Sequence, residues 1–136
     1  MIQVKPALRV AILAYAAASC LHFFHNARHL GDYPNLPGWL TPSDVYAAWL
    51  GITCVGVAGY ALYHRREIAG LVVIGVYGAL GLGGLAHYVV ASPSQHTLAM
   101  NATIWLEALT AVSLVALVVN AARDHRSASS TRFTST

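Results

Sequence analysis

The chain has 136 residues, of which 57% are hydrophobic and 10% charged, with a net charge of +3. A soluble domain carries about 25% charged residues, because a small protein must show much of its surface to water. The composition therefore excludes a disordered chain, argues against a soluble enzyme and points to an integral membrane protein.

A bilayer core about 30 Å thick needs about 20 apolar residues of helix. Four stretches meet that need, at about 6–30, 42–63, 68–91 and 93–122. The first has no formal charge between Val10 and Ala27, the third has none at all, and the fourth holds one acid, Glu107. The expected fold is all-α, a four-transmembrane-helix bundle forming one domain over residues 1–122. Residues 123–136 are rich in Ser and Thr and are expected to be a disordered tail. Lys5, Arg9 and the following apolar run to Cys20 also resemble a signal peptide or loose lipobox. Against cleavage, Ala17 stands where a lipobox has Leu, and the helical pattern runs through the cut.

Lys5, Arg9, Arg65, Arg66, Arg123, Arg126 and Arg132 all fall on one side of four spans, and only Arg28 on the other. By the positive-inside rule both termini and the middle loop are cytoplasmic, in a multi-pass protein of the plasma (inner) membrane. The lipid bilayer is the expected partner. Nucleic acid is not, because the basic residues form no stripe interleaved with aromatics.

The first outer loop, Gly31 to Pro42, has three prolines and two glycines and resists helix formation. Tyr33 and Trp39 suit the membrane interface, so the loop is expected to form a short lid. Thr41-Pro42-Ser43-Asp44 and Ser92-Pro93-Ser94-Gln95 each read as a helix start: an N-cap, Pro at N1 and a capping-box partner at N3. The second start places His96 in the first turn of the fourth span.

Histidine is the unusual residue, with seven in the chain. His64 and His125 sit with the basic residues at the cytoplasmic edge. His22, His25 and His29 fall within an arc of about 60° at the outer end of the first span. His87 ends the third span. From His96, the residues Met100, Thr103 and Glu107 recur on one helical face. In the second span, Tyr46, Trp49, Thr53 and Tyr60 form a polar and aromatic stripe. Strongly polar groups in lipid cost about 2–3 kcal/mol each unless they face the bundle interior and are paired.

Neutral imidazole is the commonest metal ligand, and imidazoles beside a carboxylate suit Fe, Zn or Mn, with Cu also accommodated. The first reading is therefore a histidine-rich transition-metal site (Fe, Cu or Zn) in the outer half, for metal handling or redox chemistry. Its candidate ligands are His22, His25, His29, His87, His96 and Glu107. Tyr46, Trp49, Met100, Asn101 and Thr103 are expected around them. His96 and Glu107 lie about 16 Å apart along a helix, too far for one ion. The second reading is a b-type cytochrome with haem between His22 or His25 and His87. The third is an accessory membrane subunit whose polar network only locks the helices together.

Gly75, Gly78, Gly81 and Gly84 recur every three residues in the third span, flanked by Gly70 and Gly83. Small residues let helix backbones approach, so this row suits tight packing, a homo-oligomer or a larger membrane complex. Nucleotide-binding glycine motifs, nucleophile elbows, zinc-protease motifs and haem-attachment motifs are absent from the sequence. No catalytic residue is assigned. Cys20 and Cys54 read as ordinary apolar-span residues.

Overall fold

The computed structural model describes residues 5–133, with side chains described for 5–127. The described residues form helices and connecting turns, with no strand among them. Helix α1 spans Pro6–Arg28 and starts with Pro6 in its first turn, where a missing N–H costs nothing. Helix α2 spans Pro42–Tyr63 on a complete capping box: Asp44 N–H donates to Thr41 Oγ1 at 3.3 Å, and Thr41 N–H donates to Asp44 Oδ2 at 2.9 Å. Helix α3 spans Glu67–Leu80, followed by a 3₁₀ segment, Gly81–Ala86, and the short helix α4, His87–Val90. Helix α5 spans Leu98–Phe133.

Four stretches are long and apolar enough to cross a membrane: Pro6–Arg28, Pro42–Tyr63, Glu67–Val90 and Leu98–Ser127. Helix α1 packs against α2 and α5, and α3 packs against the same two, so the helices form a four-membered ring. Its centre holds Tyr15, Leu71, Ile74, Ala111 and Leu114, all buried. Val10, Leu13, Leu50, Val57, Val72 and Val112 lie on the outside, each more than half exposed.

Three expectations from the sequence change. The third span is not one continuous α-helix. Gly81, Gly83 and Gly84 weaken α-helical preference over one turn, and the backbone tightens into the 3₁₀ segment. The fourth span begins later than Pro93. The Ser92–Gln95 capping box closes only a 3₁₀ turn, Pro93–Gln95; His96 is extended at φ −98°, ψ 146°. Thr97 then caps α5, its Oγ1 accepting from Met100 N–H at 3.2 Å. Residues 123–133 of the expected disordered tail are helical, while 134–136 lie outside the described residues. The start of that extension is tied down by Lys5 Nζ to Asp124 Oδ2 at 2.8 Å and His125 Nδ1 to Glu67 Oε2 at 3.5 Å.

Much of the third-span glycine row packs inside the chain. A Cβ on Gly70 would strike the backbone of Tyr63, and one on Gly81 would strike the ring of Tyr15. One on Gly78 would lie 3.0 Å from Val115 Cγ2. These contacts bring α3 close to α2, α1 and α5 in turn.

Candidate functional site

Helix α1 presents Tyr15, Ser19, His22 and Asn26 at intervals of four, three and four residues, hence on one face, and all four are buried. Helix α5 faces them with Met100, Thr103, Ile104 and Glu107, also buried. The 3₁₀ segment closes the third side. Glu107 has no solvent exposure, and its Oε2 lies 3.7 Å from Nε2 of His22, itself 2% exposed. That distance is too long for a hydrogen bond and close enough for a charged pair. Gly84 makes the approach possible: a Cβ there would sit 3.0 Å from Glu107 Oε2 and 3.6 Å from His22 Nε2.

The centre is poorly satisfied by the protein itself. His22 Nδ1 and Asn26 Oδ1 are buried without a hydrogen-bond partner in the chain, and the Glu107 oxygens and Tyr15 OH make no hydrogen bond of good geometry, with the Ser19 hydroxyl close enough only for a weak interaction with each. Buried polar atoms are normally paired, so a cluster of orphans demands an explanation. On the inner side the Tyr15 and Tyr77 rings pack at 4.6 Å, and beyond them the core is largely aliphatic.

Toward the C-terminal end of α1 a row of rings leads away from Glu107. His22 meets His87 edge to face at 5.5 Å between centroids. Asn26 Nδ2 donates to His87 Nε2 at 3.2 Å. Tyr33 lies 4.8 Å from His87, and its hydroxyl meets His25 Nδ1 at 3.1 Å. His25 and His29 follow at 4.7 Å, and exposed His29 holds Asp32 Oδ2 at 3.3 Å. Tyr33 belongs to the loop expected as a lid, yet only 4% of it is exposed: the loop turns its aromatic side chain into the bundle mouth. Burial pushes its phenol up to about 12, with a smaller opposing pull from the Thr103 hydroxyl.

His96 approaches from another direction. Its Nδ1 is 3.0 Å from the Ser92 carbonyl, which can only accept, so Nδ1 carries the proton and Nε2 is a bare acceptor. That Nε2 is buried without a partner. The ring lies 6.1 Å from His87 and 5.5 Å from Tyr88. Because His96 precedes α5, it does not continue the helical stripe of Met100, Thr103 and Glu107 that the sequence implies.

The remaining candidates separate. Met100 Sδ accepts from Thr97 N–H at 3.4 Å, and Thr103 Oγ1 donates to the Met100 carbonyl at 3.0 Å. Asn101 Oδ1 accepts from Tyr88 OH at 2.7 Å, bracing the α4–α5 link. Tyr46 and Trp49 pack on Phe24 at 5.0 and 5.4 Å, so α2's aromatic stripe engages a different face of α1 from the one bearing His22. Of the six expected ligands, His22, His87 and Glu107 form one contact group, His96 adjoins it, and His25 and His29 stand at the rim. Among the described residues, no three His, Cys, Asp or Glu side chains are grouped so as to hold a metal ion.

Tyr15, Ser19 and Asn26 join the site although they are not among the expected residues, and their spacing from His22 carries the same helical signal. Nothing local in the sequence signals that Tyr33 turns inward or that Gly84 abuts the acid. No family model, curated protein or solved structure matches this chain. The site is therefore interpreted from its own chemistry.

Proposed function

We propose that this chain is a multi-pass plasma (inner) membrane protein with a protonatable centre, Glu107 with His22 and His87, in the outer half of its bundle. Both termini and the α2–α3 turn are cytoplasmic in this reading, as the seven basic residues on that side require. The outward-facing valines and leucines support embedding, since an apolar surface of that extent is unfavourable in water.

One observation carries the functional reading: Glu107 is fully buried in mid-span, neither of its oxygens makes a hydrogen bond of good geometry, and buried His22 stands 3.7 Å away. A net charge there costs several kcal/mol, so the pair is held neutral with the proton on Glu107, an acid beside a neutral imidazole. The ring row from His87 through Tyr33 and His25 to His29 supplies a route for protons to the outer face. The steps that are ring contacts rather than hydrogen bonds require bridging water. The chain thus acts as a proton-handling membrane protein or subunit.

The test is pH-difference infrared spectroscopy of the protein in lipid nanodiscs. A protonated carboxylic-acid carbonyl band is expected in the wild type, absent in Glu107→Gln and displaced in His22→Gln. An identical spectrum in Glu107→Gln would overturn the proposal.

A transition metal is the second reading, favoured by the bare Nε2 of His96 and the unpartnered Nδ1 of His22. It requires His87 to leave Asn26 so that a third ligand joins His22 and Glu107, because tetrahedral and facial sites need at least three protein ligands. A metal and absorption inventory of detergent-purified protein separates the readings. Stoichiometric Fe, Cu or Zn, lost in His22→Ala, would replace the proton reading with a metal site. A Soret band would support the haem b alternative, with His22 and His87 drawn apart.

A further inference from the structure

A cavity of about 510 Å³ lies between α1 and α2, separate from the histidine cluster. Such a volume suits a small organic ligand. Two small residues are among the lining of this trough, Ala16 on α1 and Gly56 on α2. The back wall is the ring of Tyr77, packed so closely on Gly56 that a Cβ there would fall 2.8 Å from Tyr77 Cε1. The rims are Leu13 and Val57, 63% and 64% exposed, so the trough opens sideways, away from the bundle axis. Arg9 stands at one end, exposed and without an ion pair among the described residues. From Arg9 to Ala16 the trough runs about 10 Å along α1.

The geometry points to a specific site for an anionic phospholipid, its phosphate on Arg9 and the first part of an acyl chain lying in the trough. This rests on the membrane-spanning reading of the four helices, not on the buried acid. In that reading the sideways mouth opens into hydrocarbon, and Arg9 stands at cytoplasmic headgroup depth. Basic sites between spans on the cytoplasmic side are suited to acidic headgroups. Charge complementarity selects the occupant: a zwitterionic lipid or a neutral prenyl quinone has no net charge to offer Arg9. The small side chain of Ala16 leaves room for the acyl chain along the trough, and a larger residue on the rim would exclude it.

The experiment is native mass spectrometry of the full chain, after equilibration with vesicles of equal phosphatidylglycerol and phosphatidylcholine. One retained phosphatidylglycerol per chain is expected. Arg9→Gln should lower its retention about fivefold, the equivalent of about 1 kcal/mol for one basic residue at an anionic surface. Val57→Trp, a rim change that leaves Tyr77 and Gly56 in place, should abolish retention with helicity unchanged by circular dichroism. Equal retention of both lipids, or retention unchanged in both variants, would reduce the trough to ordinary lipid contact and overturn the site. A co-purified prenyl quinone displaced by Val57→Trp would also overturn it. Release of the chain from membranes by alkaline carbonate would instead refute the membrane reading itself.

Discussion

Glycines of one span serve different neighbours, and this gives sharp contrasts at the scale of single residues. Gly70 faces Tyr63 backbone, which cannot move aside, whereas Gly83 faces open space. Gly70→Ala should therefore destabilise by about 1–3 kcal/mol or more through overpacking. Gly83→Ala should lie within about 0.5 kcal/mol of wild type, as a substitution away from packed contacts. Thermal unfolding in one detergent compares the two, and equal melting temperatures would contradict the packing. Gly84→Ala probes the site: its Cβ at 3.0 Å forces the Glu107 carboxyl to shift. The expected outcome is a displaced carboxyl band in the infrared spectrum, with circular dichroism unchanged. Sequence spacing made Glu107 and His22 visible as buried polar groups. It did not show that Gly84 brings them together, because that contact depends on the path of a different span.

At the scale of elements, the ends of α5 and the outer loop decide how the site is closed. Thr97 rather than Ser92 caps α5. Thr97→Ala should cost about 0.5–2 kcal/mol, the usual range for losing an N-cap. Thermal unfolding measures this loss. The Ser92 capping box, read from the sequence as the start of the fourth span, closes only a 3₁₀ turn, and Thr97, five residues on, takes the cap instead. Tyr33 is the loop's contribution to the interior. Tyr33→Phe keeps the ring against His87 but removes the hydroxyl at His25 Nδ1. Tyr33→Ala removes both. In hydrogen–deuterium exchange followed by infrared spectroscopy, exchange of the Glu107 carboxyl proton should be fastest in Tyr33→Ala, where the mouth is open. Equal rates in wild type and Tyr33→Ala would place the proton route elsewhere.

At the scale of the whole molecule, the proposed sidedness can be tested directly. With Cys20 and Cys54 replaced by Ala, single cysteines at Asn35 and Arg66 should react oppositely with a membrane-impermeant maleimide. Asn35→Cys is expected to label from outside intact cells and Arg66→Cys only after lysis. The reverse pattern would invert the assigned orientation. Within the bundle, the polar residues do not form one continuous column. The orphaned centre and its ring row occupy one end, the Tyr63–Glu67–His125 group occupies the other, and buried Leu71, Ile74 and Leu114 lie between them. This separation favours access to Glu107 from a single face.

The sequence alone determined that four long apolar helices form, because length, hydropathy and capping residues are local properties written along the chain. It also located the imidazoles and the single mid-span acid, since helical periodicity puts them on definable faces. Only the tertiary structure decided which of them meet. His22, His87 and Glu107 come from three different spans, Tyr33 enters from a loop, and the 3₁₀ segment sets the depth of Gly84 against them. Tyr46 and Trp49, equally eligible by spacing, pack on Phe24 instead. Spacing fixes the face within a helix, whereas the rotation and depth of each helix relative to its neighbours follow from packing between them.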